Sequence, residues 1–185
     1  MKQVAVLAGN DLDLDAHRIT GADKGRYVTV LRDPAERIVG DFNAKADRGE
    51  DLPDFWEWYD ERRVNQQTRF FCDLFDVESV SEVAENLKSL WFVTTTEHLP
   101  EDAPRLFEAI GVPSEWDGGA GEESDLEDAE DGDDGEAPAF VPSERRLAIS
   151  DEIRSRIHED HPRDVRLYEL ALKRRESKRK RYGWS

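Results

Sequence analysis

The chain has 185 residues, enough for one domain with a real core. Its 43 acids against 26 Lys and Arg give a net charge of -17, which argues against general nucleic-acid binding. A single cysteine, Cys72, excludes an internal disulfide framework. No run of ~18 apolar residues is present to cross a membrane, and no secretory leader is visible, so a reducing, cytoplasmic setting is expected. Eleven of the acids fall between Asp117 and Glu136, a stretch without Lys or Arg. Two readings of the acidity stand: a halophilic cytoplasm, where molar salt shortens the Debye length to ~3 Å, or a mesophilic protein with an acidic loop.

Residues 3–8 read as a strand. The connection after it carries Asp11, Asp13 and Asp15 at alternate positions. The spacing is like that of a calcium loop, but no glycine and distal glutamate follow in register, so a solvated loop and no metal are expected. Tyr27 to Leu31 is β-branched, aromatic and aliphatic, the pattern of a buried strand. It stops at Arg32-Asp33-Pro34. Asp33 suits an N-cap, Pro34 the first helical position, and Glu36 completes a capping-box spacing. A helix over 34–46 follows, with Ala35, Ile38, Val39 and Phe42 on one apolar face. Backbone N–H groups, the positive end of the helix dipole and the Arg32 guanidinium thus meet at one junction, which suits a phosphate.

Residues 53–63 read as a helix whose Phe55, Trp56, Trp58 and Tyr59 either join the core or line an acceptor groove. Residues 65–75 continue as helix, 79–89 form another, 91–95 a strand and 101–111 a helix that stops at Gly111. Residues 117–138 have too few apolar groups to offset their ordering entropy and are expected to be a disordered insert. Helices over 143–159 and 161–177 end in a basic tail from Lys173 to Arg181. That tail could face the acidic insert, an acidic polymer or solvent. His98, His158 and His161 fall at turns or helix ends and are expected to be solvated. The organisation expected is a core over 1–116, the insert over 117–138, and C-terminal helices of the same domain over 139–185.

The segment Leu31-Arg32-Asp33-Pro34-Ala35-Glu36-Arg37, after its apolar strand, resembles the 3′-phosphate-binding element of sulfotransferases that use 3′-phosphoadenosine-5′-phosphosulfate (PAPS), above all the carbohydrate type. Asn65 to Cys72, Trp91 to Glu97, Pro104 to Ile110, and Asp164-Val165-Arg166-Leu167-Tyr168 resemble later elements of that family, in family order. The resemblance implies an α/β, P-loop-like sulfotransferase fold with a short parallel sheet flanked by helices. It also implies PAPS as sulfuryl donor and a carbohydrate or other hydroxyl as acceptor. Arg32 matches the arginine that holds the 3′-phosphate, with Asp33 beside it. Gly40 stands where the family has a serine, so one hydroxyl contact worth ~0.5–1.5 kcal/mol is lost. Arg145 and Arg146 lie where the family returns a loop to the nucleotide; they are cofactor contacts or surface residues.

The family's opening strand, phosphate-cradling loop and helix have no counterpart after Met1, so the fold is expected to be N-terminally truncated, and a separately encoded N-terminal half is one partner this implies. The family's base position falls on Asn10, after Gly9. Asparagine has no proton-accepting pKa near neutrality, which leaves His17 as the substitute base. Three functions follow as expectations: sulfuryl transfer to a carbohydrate hydroxyl, a non-catalytic nucleotide- or partner-binding relic, and an interaction module built on the insert and tail.

Overall fold

The computed structural model describes residues 25–62, 64–111 and 146–184. The strand expected at 3–8, His17, Asn10, Arg145 and the acidic insert lie outside these residues.

Strand β1 (Val28–Leu31) leads into helix α1 (Pro34–Asp47). The start of α1 follows its local chemistry: Asp33 Oδ1 accepts from Ala35 N at 3.0 Å and Glu36 N at 3.2 Å. Ala35, Ile38, Val39, Phe42 and Ala46 form its buried face. Helices α2 (Phe55–Asp60), α3 (Gln66–Phe75) and α4 (Val80–Leu87) follow, the last begun by a complete Ser79/Glu82 capping box. The helix read over 53–75 is therefore broken. Asn65, at φ 55°, sits in the left-handed region, which an α-helix cannot pass through.

Strand β2 (Phe92–Thr95) pairs parallel with β1, Val28 against Phe92 and Leu31 against Thr95. The four intervening helices are the crossover that a parallel pair requires. Helix α5 (Leu99–Ile110) stops at Gly111, whose φ of 81° favours glycine. Residues 146–150 are irregular, so the helix expected from 143 begins only at α6 (Asp151–Asp160), where Ser150 Oγ accepts from Ile153 N. Helix α7 (Pro162–Tyr182) runs through the basic tail. It lies along β2 and touches α3 and α4, while α6 packs on α1. The C-terminal helices thus share one body with β1, β2 and α1.

Among the described residues, then, the protein is mostly helical around a small two-stranded parallel sheet, an α/β arrangement in the coarse sense. One core joins Leu31, Phe71, Leu87, Val93 and Leu167; a second joins Ile38, Phe42, Phe55, Trp58 and Ile157. Phe55, Trp58 and Tyr59 are buried, so the aromatic face of α2 is mainly core. Strand β1 is half-buried rather than buried. Leu31 is enclosed, while Val28 and Val30, on the opposite face of the pleat, are each 41% exposed. No helix of the described residues is long and apolar enough to cross a membrane.

Two expectations about charge are corrected. In the tail, Arg175 is buried and bonds Asp102 and Glu101 on α5, and Arg179 joins them. Arg175 and Arg179 tie two helices together, while Lys173, Lys180 and Arg181 of the same tail are exposed. His161 is buried, not solvated, and its Nδ1 accepts from Asn65 N at 3.0 Å. Burial pushes its imidazole below the usual histidine value, with Asp164 opposing in part. A base with a depressed folded pKa contributes stability that is complete above the unfolded value of ~6.5 and falls as pH drops below it. Melting temperature should decline between pH about 7.5 and about 5 in the wild type. The decline should be smaller in His161→Gln, whose amide oxygen can still accept the Asn65 N–H; equal slopes would assign the acid sensitivity elsewhere.

Candidate functional site

The carboxyl end of β1 is where the sequence placed the site, and the backbone there is fixed by one side chain. Gln67 on α3 donates Nε2 to Arg32 O at 2.8 Å and accepts from Arg32 N at 3.1 Å. Both polar groups of the Arg32 peptide are satisfied by a single amide, so the residue cannot shift without breaking two bonds. The Arg32 side chain then folds back over α1. Its guanidinium rests on Gly40, where an added Cβ would lie 2.8 Å from Nη1 and 3.2 Å from Cζ. Gly40 is thus the opening into which the arginine settles. Among the described residues no carboxylate pairs with Arg32.

That guanidinium borders an open, polar cleft of about 420 Å³, with Glu36, Asn43, Arg146 and Arg154 among its other walls. The irregular segment before α6 is seated on α1 by Asn43, which exchanges two hydrogen bonds with the Leu147 backbone, at 2.7 and 3.0 Å. This brings Arg146 to the cleft. It is half exposed and only loosely paired, its Nε 3.7 Å from Asp47. Arg154 Nη2 is committed to Glu36 at 2.6 Å. Among the described residues three arginines therefore share the rim with one carboxylate, and Arg32 is the cation without a partner there. An anion is the complementary ligand. A second cleft of about 340 Å³, lined by Phe42, Leu52, Pro53 and Phe55, adjoins it and shares Arg146 and Leu147 as walls.

Asp33 is occupied differently from Arg32. It is only 7% exposed, caps α1, and pairs with Arg154 Nη1 and His158 Nε2, each at 2.9 Å. His158 is therefore held by a buried carboxylate rather than solvated. At the end of β2, the Tyr168 phenol is pushed up to about 12 by burial and by the Glu97 carboxylate. His98 Nδ1 lies 2.8 Å from Thr95 Oγ1.

Of the residues named from sequence, Arg32, Gly40 and Arg146 come together at one cleft, and Asp33 lies directly behind it. His17 and Arg145 lie outside the described residues. Asn43, Gln67, Arg154 and His158 were missed as site residues. For the last two the signal was an Arg and a His at i and i+4 on one helix, which places them on one face. Among the described residues no group of three His, Cys, Asp or Glu could hold a metal ion. Comparison with family models, with curated proteins and with solved structures found no match to this chain.

Proposed function

We propose that the cleft beside Arg32 binds the 3′-phosphate of a PAPS-type nucleotide, and that the chain is a P-loop-like sulfotransferase-family domain. Its inherited reaction is sulfuryl transfer from PAPS to a hydroxyl, on a carbohydrate by family resemblance. The observation that carries the reading is the Arg32 guanidinium, unpaired among the described residues, seated over Gly40 at a strand-to-helix junction and opening on a cleft with two more arginines. A terminal phosphate would gain a charge-assisted, bidentate contact there without displacing a competing carboxylate. A second reading, a nucleotide-binding module that performs no transfer, draws on the same cleft, because Arg32 needs no catalytic neighbour in order to bind.

Calorimetric titration with adenosine 3′,5′-bisphosphate, at low and at molar salt, tests the proposal. Arg32→Ala should weaken binding by roughly 10- to 150-fold, the equivalent of ~1.5–3 kcal/mol for one charge-assisted contact. Adenosine 5′-monophosphate, which lacks the 3′-phosphate, should bind both proteins alike. Equal affinity of wild type and Arg32→Ala for the bisphosphate would sink the assignment.

A further inference from the structure

We propose that His158 is the proton acceptor for the attacking hydroxyl, an inference that rests on the sulfuryl-transfer reading. Nothing in the family resemblance gives this residue a role; the family's base position falls on Asn10. Asp33 Oδ2 lies 2.9 Å from His158 Nε2. Asp33 Oδ1 meanwhile accepts from two backbone N–H groups of α1 and from Arg154. Four donors converge on one buried carboxylate, which holds it in place. A carboxylate accepts, so Nε2 carries the hydrogen, and in the neutral ring the lone pair is on Nδ1. Among the described residues Nδ1 has no partner, and the side chain is 32% exposed. The ring is thus oriented and tautomerically set, and its basic nitrogen is left open.

Place supports the same role. The Arg154 side chain that lines the anion cleft shares the Asp33 carboxylate with His158, so cleft and imidazole are one residue apart at the start of α1. Ligands of open parallel sheets bind beyond the carboxyl ends of the strands, where Asp33 stands. The other described histidines are already engaged: Nδ1 of His161 takes the Asn65 N–H, and Nδ1 of His98 is bonded to Thr95. Asp33 at the start of α1 is the charged group bonded to His158; Arg154, on the same helix as His158, shares that carboxylate and pairs with Glu36, and Glu97 and Tyr168 interact electrostatically with Asp33 as well.

The step balances without a redox partner. The acceptor oxygen attacks the sulfur of PAPS as its proton passes to Nδ1. A sulfur–oxygen bond forms, and the bond from sulfur to the bridging oxygen of the 5′-phosphate breaks. The leaving adenosine 3′,5′-bisphosphate takes the electron pair, and the imidazolium later returns its proton to water.

Hydrolysis of PAPS by the full chain provides a test that needs no known acceptor, because water takes the acceptor's place. Wild type should release radiolabelled sulfate above the spontaneous rate. His158→Gln, whose amide can still bond Asp33, should lose roughly 10²- to 10⁴-fold in rate, the usual span for general-base catalysis, with bisphosphate affinity unchanged. His158→Ala should recover part of its rate with added imidazole, which no structural role predicts. Undiminished hydrolysis in His158→Gln overturns the proposal. So does a bisphosphate affinity that falls in parallel with the rate, since His158 would then only brace α1. A wild type that binds the bisphosphate yet releases sulfate at the spontaneous rate also overturns it, and leaves the binding-module reading standing. Absence of bisphosphate binding removes the nucleotide reading and this assignment together.

Discussion

Asp102→Ala should destabilise the fold by about 3–5 kcal/mol, the range for removing one partner of a buried ion pair. Asp102 is fully buried at the first turn of α5. Its Oδ2 accepts from Thr94 Oγ1 and Arg175 Nε, each at 2.6 Å, and its Oδ1 from Arg175 Nη2 at 3.0 Å and Arg179 Nη1 at 3.1 Å. Strand β2, α5 and α7 therefore meet on one carboxylate. Removing it leaves the largely buried Arg175 facing a cavity, with the exposed Glu101 as its one counter-charge among the described residues. Chemical denaturation measures the loss. Combining Asp102→Leu with Arg175→Met should restore much of it, because a buried pair replaced by apolar groups of similar size is often neutral.

The same site predicts acid sensitivity. Burial alone would raise the Asp102 pKa, but hydrogen bonds from Arg175 and Thr94 outweigh it and hold the carboxyl below the usual range. A depressed folded pKa means that this stability is complete above the unfolded value of ~3.9 and is lost as pH falls below it. A loss under about 1 kcal/mol in Asp102→Ala would mean that the network contributes no more than an exposed pair.

How far the sequence reveals these arrangements depends on the distance over which each cause acts. The β1–α1 junction was legible because the cap, the proline and the apolar stripe are all within a dozen residues. The Ser79 capping box and the stop at Gly111 are local in the same way. Arg32 could be named because strand end and helix start converge on it. The site's supports could not be named, because they arrive from far away: Gln67 lies 35 residues from Arg32, Leu147 104 from Asn43, and His158 125 from Asp33. Charge misled for a related reason. A basic run gives its sign but not its partner, and Glu101 and Asp102 are more than 70 residues before the arginines they bind. His161 read as solvated because its polarity was visible and the Asn65 N–H that satisfies it was not.

Asp164→Ala tests whether stability and site are coupled. Helix α3 begins at a left-handed Asn65 that makes no side-chain cap of its own. Asp164, fully buried on α7, supplies the cap instead: Oδ1 accepts from Thr68 N at 2.7 Å and Oδ2 from Gln67 N at 3.2 Å. Asn65 repays the contact, its Oδ1 accepting from Arg163 N at 3.0 Å and Asp164 N at 3.2 Å at the start of α7. Each helix is thus begun by a residue of the other. Removing Asp164 strands two N–H groups, at ~1–3 kcal/mol each, so about 2–6 kcal/mol of stability should be lost. Asp164→Asn, which keeps one acceptor oxygen, should lose about half of that. The functional consequence follows through Gln67. Its backbone is gripped by Asp164, and its side chain grips both polar groups of the Arg32 peptide. A loosened α3 start should therefore unseat Arg32 and weaken adenosine 3′,5′-bisphosphate binding under conditions where the variant is still folded. Circular dichroism and calorimetry on the same samples separate the two effects. A destabilised Asp164→Ala protein with wild-type affinity would show that Arg32 holds its place without α3.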